Sequence, residues 1–178
     1  MKKEKLLSCL LLSLSVLYSM QANAKIVWDF EDCKIGQTFK MWNAFGSEAA
    51  TSSAVVEADP KNPNNKVLHV IVKEWNTFVE FTLPEELAGH KLTDNVKSVK
   101  LNFYRPNSDS DNWKQFHVFL GNESLFQDEG YPYQGDHDVW QSKEYYLAPV
   151  TESANDERMF RLGIHHDNSD YYIDNIVL

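Results

Sequence analysis

Several carboxylates of this 178-residue chain have the residue type and spacing that acid–base chemistry requires. Hydrolysis of a glycosidic bond needs two carboxyl groups across a cleft, one of them protonated. The candidates are Asp128 with Glu129, Asp136 with Asp138, and Glu80. Adjacent acids in turn-like segments are usually solvated. The sequence also lacks Gly-x-Ser-x-Gly, His-Glu-x-x-His and phosphate-binding glycine motifs, so it indicates catalysis only weakly.

The run His165-His166-Asp167 has residue types that bind transition metals. Neighbouring residues of a β-strand point to opposite faces, so the two histidines cannot both bind one ion from regular β structure. Zinc is therefore not the expected metal.

Calcium is the better-motivated metal, because hard oxygen ligands occur near both ends of the chain. Asp29, Glu31 and Asp32 belong to the early segment WDFED, and Asp170 and Asp174 to the late segment DYYIDN. Terminal strands of a jelly roll commonly pair, which would bring carboxylates and backbone carbonyls into one oxygen cage. The alternative is that these acids are edge-strand charges that discourage aggregation.

Large aromatic rings form a second group with binding chemistry. Trp28 lies in an early strand and is expected in the core. Trp42 follows a loop-like segment, Trp75 ends a strand and Trp113 follows a polar run. We therefore expect all three at the rim or in loops, where an exposed ring suggests ligand stacking. The alternative for each is a cap on the core with the indole N–H turned to water.

Helical periodicity is nearly absent from the sequence. Short β-type runs separated by turn-rich segments recur instead, so we expect strands and their connecting loops to position these side chains. About nine strands in this length predict an all-β fold, a two-sheet β-sandwich of the jelly-roll kind, with one helical turn at most in the segment LPEELAGHKL. The predicted strands are 26–30, 54–57, 67–74, 77–83, 99–105, 115–120, 141–147, 160–165 and 171–178.

Alternation within three of these strands separates an apolar set from a polar one. The predicted core sets are Val99, Leu101 and Phe103; Phe116, Val118 and Leu120; and Phe160, Leu162 and Ile164. The outward sets contain Asn102, Tyr104, Gln115, His117, Arg161 and His165. If these strands share one sheet, its exposed face carries ring faces and hydrogen-bonding groups that suit a neutral glycan. An ordinary solvated sheet face is the alternative.

The first 24 residues have the pattern of a secretory signal, with early lysines, an apolar stretch and an Ala-Asn-Ala cleavage site. That stretch is shorter than the roughly 20 residues of a membrane span. The mature domain would be residues 25–178, in the periplasm, at the cell surface or outside the cell, with Cys33 as its single cysteine and a formal charge of −11 against −9 for the whole chain. This charge argues against nucleic acid and anionic membranes as partners.

The segments WDFED, NNKVLHV, NTFVEFTLPEELAG, GYPYQGD, FRLGI and DYYIDNIVL resemble a carbohydrate-binding module found beside family-10 glycoside hydrolases, the endo-β-1,4-xylanases. The resemblance implies a galactose-binding-like jelly roll that binds β-linked polysaccharide, with xylan as the first expectation. It also implies a structural calcium involving Glu31 and Asp174, and a family-10 catalytic domain as a partner.

The chain departs from that pattern because it has no room for a catalytic barrel of roughly 250 residues. We expect Leu178 to mark a domain boundary, with the catalytic domain lost, encoded separately or trimmed away. The sequence therefore predicts a non-catalytic glycan-binding module. The alternatives are a fragment or accessory chain of a xylanase, a small hydrolase using Asp128 or Glu129, and a surface adhesion domain. The predicted glycan-binding residues are Trp42, Trp75, Asn102, Tyr104, Trp113, Gln115, His117, Arg161 and His165.

Overall fold

The computed structural model describes residues 27–43, 46–111, 113–127, 136–151, 157–164, 166 and 168–178. These residues form two antiparallel β-sheets that face each other, so the all-β, two-sheet prediction is confirmed. The predicted signal segment lies outside the described residues, as do Asp128, Glu129 and His165. Among the residues described, no helix is both long enough and apolar enough to cross a membrane.

Sheet A has the strand order β10-β7-β12-β5-β4-β2, and β1 pairs with the end of β12. Its strands are β1 (Val27–Trp28), β2 (Thr38–Phe39), β4 (Ser53–Ala58), β5 (Lys66–Val72), β7 (Ser98–Tyr104), β10 (Trp140–Tyr146) and β12 (Ser169–Val177). The β1–β12 pairing sets Trp28 opposite Ile176. The terminal strands therefore meet, as the jelly-roll prediction requires.

Sheet B has the order β3-β6-β11-β8-β9. Its strands are β3 (Met41–Asn43), β6 (Thr77–Thr82), β8 (Phe116–Leu120), β9 (Glu123–Gln127) and β11 (Met159–Ile164). A 3₁₀ turn (Glu85–Leu87) and the short helix α1 (Lys91–Asn95) follow β6. This segment therefore holds slightly more helical structure than the single predicted turn.

All nine predicted strands are present, with shifted ends, and β2, β3 and β9 are additional. The strands β2 and β3 have two and three residues, too few for a period of two to stand out. β9 follows β8 after a tight turn at Gly121, so the two strands merge in the sequence pattern.

The core between the sheets contains all three predicted apolar sets, each residue at most 2% exposed. Trp28 is half-buried and packs its ring against Phe81 and Phe160, with centroids 4.8 and 6.1 Å away. Truncating one such large core side chain to alanine costs about 2–5 kcal/mol of stability, so these contacts fix the positions of the strands.

The three outward polar sets do not share a face, and that part of the prediction is wrong. β7 belongs to sheet A, whereas β8 and β11 lie in sheet B. Asn102 and Tyr104 are therefore on the opposite outer surface from Gln115, His117 and Arg161. Alternation shows which side chains avoid the core, but it carries no information about which sheet a strand joins.

Candidate functional site

The outer face of sheet B is built from the residues that alternate with core positions on its strands. Val79 and Phe81 of β6 and Leu162 of β11 point into the core, so their neighbours point outward. We call this surface the sheet B face. It contains Trp42, Phe78, Glu80, His117, Phe119, Gln127, Arg161 and Gly163.

Three rings form the floor of the sheet B face. Phe78 of β6 stacks on His117 of β8 with ring centroids 5.6 Å apart, and lies 4.9 Å from Phe119. β11 runs between these strands, and its Gly163 stands opposite His117 in the ladder. Phe78 and His117 are almost fully buried. The expectation that His117 is an exposed ligand group is therefore wrong: it is a packed floor residue.

Arg161 joins the two edges of this face. Its guanidinium donates hydrogen bonds to the backbone carbonyl oxygens of Asn43, at 3.1 Å, and Gly121. It also lies over the ring of Phe119, 5.4 Å from the centroid. Arg161 is 2% exposed. The side chain predicted to be an outward-facing donor is instead buried, and its hydrogen bonds connect β3 to the β8–β9 turn.

Nε1 of Trp42 and Oε2 of Glu80 are polar atoms of this face that are buried and have no hydrogen-bond partner among the described residues. Trp42 lies opposite Phe78 in the β3–β6 ladder, and Glu80 follows Phe78 by two positions on the same side. An unpaired buried donor or acceptor costs about 1–3 kcal/mol, so folding alone does not favour this arrangement. One donor and one acceptor on a common face match the needs of a ligand hydroxyl group.

Side-chain amides lie at one end of the face. Nε2 of Gln127 donates to Oε1 of Gln115 at 3.2 Å, and Nε2 of His117 is 3.4 Å from the same oxygen. Gln115 is 7% exposed. The sequence correctly grouped Gln115 with His117, but both side chains are more buried than predicted.

An exposed tryptophan ring and a half-buried histidine ring lie beyond this end of sheet B. Trp75 lies in the turn before β6, is 48% exposed and contacts His166 at a centroid distance of 4.9 Å. His166 follows the end of β11, so both rings extend past the same end of the sheet. Trp75 thus occupies the predicted rim, and Trp113, just before β8, is half-buried. His166 was missed as a site residue because a loop has no periodicity that would orient it.

The two remaining predicted glycan ligands lie on sheet A. The ring of Tyr104 packs against Trp140 at 5.4 Å and Tyr172 at 5.6 Å. Its hydroxyl donates to Asp138 at 2.7 Å, and burial together with this bond raises the pKa of Tyr104 to about 12. Asn102 is half-buried on the same strand. Neither residue joins the sheet B face, so their assignment to one site with His117 is wrong.

The predicted metal ligands Glu31 and Asp174 lie near each other. Burial, followed by the negative charges of Glu31 and Asp29, raises the pKa of Asp174. Within the described part of the chain, no three His, Cys, Asp or Glu side chains are grouped closely enough to hold a metal ion. Lys66 donates its Nζ protons to the carbonyl oxygens of Glu31 and Cys33, which a metal would otherwise use. These residues do not fit a bound calcium as they are arranged; calcium itself stays a prediction.

Solved structures share this arrangement of strands. A C-terminal family 22 carbohydrate binding module of Clostridium thermocellum Xyn10B has a TM-score of 0.56 and 11% identity over 88% of this chain and 94% of that one. A structure of the N-terminal CBM22-1–GH10 modules of endo-1,4-β-D-xylanase 10B from the same organism, complexed with xylohexaose, has a TM-score of 0.54 and 12% identity. The match covers 85% of this chain and 27% of that one. This chain has the fold of these carbohydrate-binding modules.

Other proteins with this fold are enzymes. A cyclase from Fischerella sp. TAU has a TM-score of 0.50 and 12% identity over 86% of this chain and 96% of that one. No family model matches the sequence. No curated protein sequence matches it either. The function must therefore be argued from the side chains of the site and not from the fold alone.

Proposed function

We propose that this chain is a non-catalytic module that binds β-linked polysaccharide, with xylan as the first ligand to test. The observation that carries the proposal is the pair of unpartnered buried atoms on the sheet B face, the indole N–H of Trp42 and Oε2 of Glu80. A sugar hydroxyl both accepts and donates, so the hydroxyls of a sugar can pair with an N–H donor and with a carboxylate acceptor. Ligand binding would then remove the cost that the free protein carries.

The rings of the site suit the remaining surface of a sugar. A pyranose has an apolar C–H face, which stacks on aromatic rings. Phe119 is half-buried on the sheet B face, and Trp75 is largely exposed at its end. A polysaccharide lying along the face would meet Trp42 and Glu80 with its hydroxyls and Trp75 with a neighbouring unit. The strongly acidic chain favours a neutral glycan over a polyanion.

The comparisons support a glycan more than another ligand class. One similar structure is named a carbohydrate binding module, and another contains such a module joined to a GH10 module with xylohexaose. The GH10 neighbour leads us to propose a family-10 catalytic domain as the partner, and the signal-like first 24 residues lead us to propose export. At identities of 11–12% the likeness shows the fold and not the ligand, so xylan is tested directly against other glycans.

Calorimetric titration with xylohexaose, cellohexaose and mannohexaose tests the proposal. Protein–sugar hydrogen bonds replace bonds to water, so we expect a Kd between micromolar and millimolar. Trp42→Phe keeps an aromatic ring, although a smaller one, and removes the indole N–H. Glu80→Gln removes the charge. Each should weaken binding about 5- to 30-fold. Trp75→Ala should weaken it through lost stacking.

The matched control is Tyr146→Ala, which removes a 70% exposed ring from the β10 edge of sheet A. It should leave the titration unchanged. Equal binding by all four variants would refute the site, and no heat with any of the three sugars would refute the function. New reducing ends after incubation with xylan would contradict the non-catalytic assignment.

A further inference from the structure

Lys66 connects β5 to the turn that follows β1. We call residues 29–34 the first turn. The ammonium of Lys66 donates hydrogen bonds to the backbone carbonyl oxygens of Glu31 and of Cys33, the latter at 2.9 Å. The backbone N–H of the same lysine donates to Oε1 of Glu31 at 2.9 Å. One residue therefore holds the first turn through three hydrogen bonds.

The position of Lys66 makes these bonds a link between the two ends of the chain. Lys66 is the first residue of β5, which pairs with β12, and β12 pairs in turn with β1. The first turn leads directly out of β1. Fixing the first turn to β5 therefore adds a contact beside the C-terminal half of β12, where the partner strand β1 has only two residues.

The oxygen atoms of the predicted calcium site already accept hydrogen bonds from the protein. The two carboxylate oxygens of Asp174 accept from the backbone N–H and the side-chain amide of Asn175, each at 2.7 Å. Asn65 donates to Asp174 as well, at 3.3 Å. Calcium binds six to eight oxygens from carboxylates, carbonyls and water. Here the carbonyl oxygens face an ammonium group and the carboxylate oxygens face amides.

We propose that the ammonium of Lys66 is the structural cation of this site, so that the sandwich reaches its full stability without a divalent metal ion. A lysine ammonium is a compact positive charge with three donors, which suits carbonyl oxygens converging on one point. It is delivered by the chain itself and needs no cation from the medium.

Thermal unfolding of the purified chain in excess EDTA and in millimolar calcium chloride tests this proposal. We expect the same Tm in both solutions. Lys66→Met removes the ammonium and keeps most of the apolar stem, and should lower Tm by about 4 °C in both solutions. Lys91→Met is the matched control, because Lys91 is an exposed lysine at the start of α1. It should leave Tm unchanged.

Two results would overturn the proposal: a wild-type Tm that rises with calcium and falls with EDTA, or a Lys66→Met variant as stable as Lys91→Met. The first result needs only the wild-type chain, so it decides the question even if Lys66→Met does not fold. Glycan titration is a separate measurement, and neither result bears on the proposed function.

Discussion

Nε2 of His69 lies 2.8 Å from Oδ1 of Asp170 on the outer surface of sheet A. The other ring nitrogen, Nδ1, lies 3.0 Å from Oε2 of Glu57, and the ring stacks on Tyr172 at 4.1 Å. Burial alone lowers the pKa of His69, but the hydrogen bond to Asp170 and the charges of both acids outweigh it, so the net pKa is raised above 6.5. The protonated ring ties β4, β5 and β12 together.

Stability should therefore depend on pH through His69. The pKa of His69 is higher in the folded protein than in the unfolded chain. The stability that protonated His69 contributes is therefore fully present below the unfolded-state pKa, and it is lost as the pH rises through the folded-state pKa. The urea midpoint should fall from pH 6 towards pH 9, and His69→Gln should flatten this fall. The hydrogen bond from His69 lowers the pKa of Asp170 in the folded protein. The stability that ionised Asp170 contributes is therefore lost only as the pH drops below about 3.8. An unchanged slope in His69→Gln would contradict the assignment.

Asp109 should be among the least tolerant acids of the chain. It accepts from Nε of Arg105 at 2.5 Å and from Nζ of Lys114, and all three side chains are at most 2% exposed. Burial lowers the pKa of Lys114, and the charge of Asp109 opposes this. Asp109→Asn removes the buried charge that Arg105 and Lys114 share, while Arg105 keeps its 3.1 Å contact with the exposed Asp111. The variant should cost about 3–5 kcal/mol in urea unfolding.

The control for Asp109 is Glu144→Gln, which breaks the 3.4 Å pair with Lys100 on the surface. Exposed pairs of this kind contribute less than about 1 kcal/mol. Equal losses in the two variants would show that burial of the Asp109 cluster has no energetic consequence.

Gly163 should not accept a side chain. Its φ is +150°, and a Cβ would lie 2.7 Å from the hydroxyl oxygen of the buried Tyr171. Gly163→Ala should cost about 2–4 kcal/mol by denaturant unfolding. Tyr171→Phe removes the hydroxyl, and combined with Gly163→Ala it should recover part of the loss.

Gly36→Ala separates backbone strain from the clash at Gly163. Gly36 has φ +85° with no atom within 4 Å of the Cβ position, so this variant should lose only about 1–2 kcal/mol. Strictly additive energies for Gly163→Ala and Tyr171→Phe would rule out the steric explanation.

Tyr104→Phe should leave glycan binding unchanged, although the sequence suggested Tyr104 as a ligand. The variant loses the 2.7 Å bond to Asp138 on sheet A and should cost about 1 kcal/mol of stability. Weaker binding of xylohexaose by a folded Tyr104→Phe variant would place the ligand on sheet A instead of the sheet B face.

The sequence predicted strands and core faces well, because each of the three analysed strands has a period of two that separates apolar from polar residues. The apolar sets ending in Phe103, Leu120 and Ile164 are all in the core. Sheet membership was not predictable, because β7 and β8 have the same pattern and only the path of the chain sends them to different sheets.

The site was predictable only in part. Trp42 and Trp75 stood out by type and by their loop-like surroundings. Glu80 stood out only as one acid among several. Arg161, which stands opposite Glu80 in the β6–β11 ladder, donates to the backbone carbonyl oxygens of Asn43 and Gly121. Such contacts join β3, β11 and the β8–β9 turn, and no local pattern encodes them.

The place of β12 between β5 and β7 constrains how this protein can fold as it is made. Residues 66–72 and 98–104 leave the ribosome long before residues 169–177, so their inner edges have no partner for most of synthesis. The β4–β5 and β7–β10 pairs can form earlier, but sheet A is complete only when β12 joins them. Such long-range pairing folds slowly and leaves unpaired strand edges exposed in the meantime. A chain shortened before Ser169 would be a broken sheet prone to aggregation and not a smaller working sandwich.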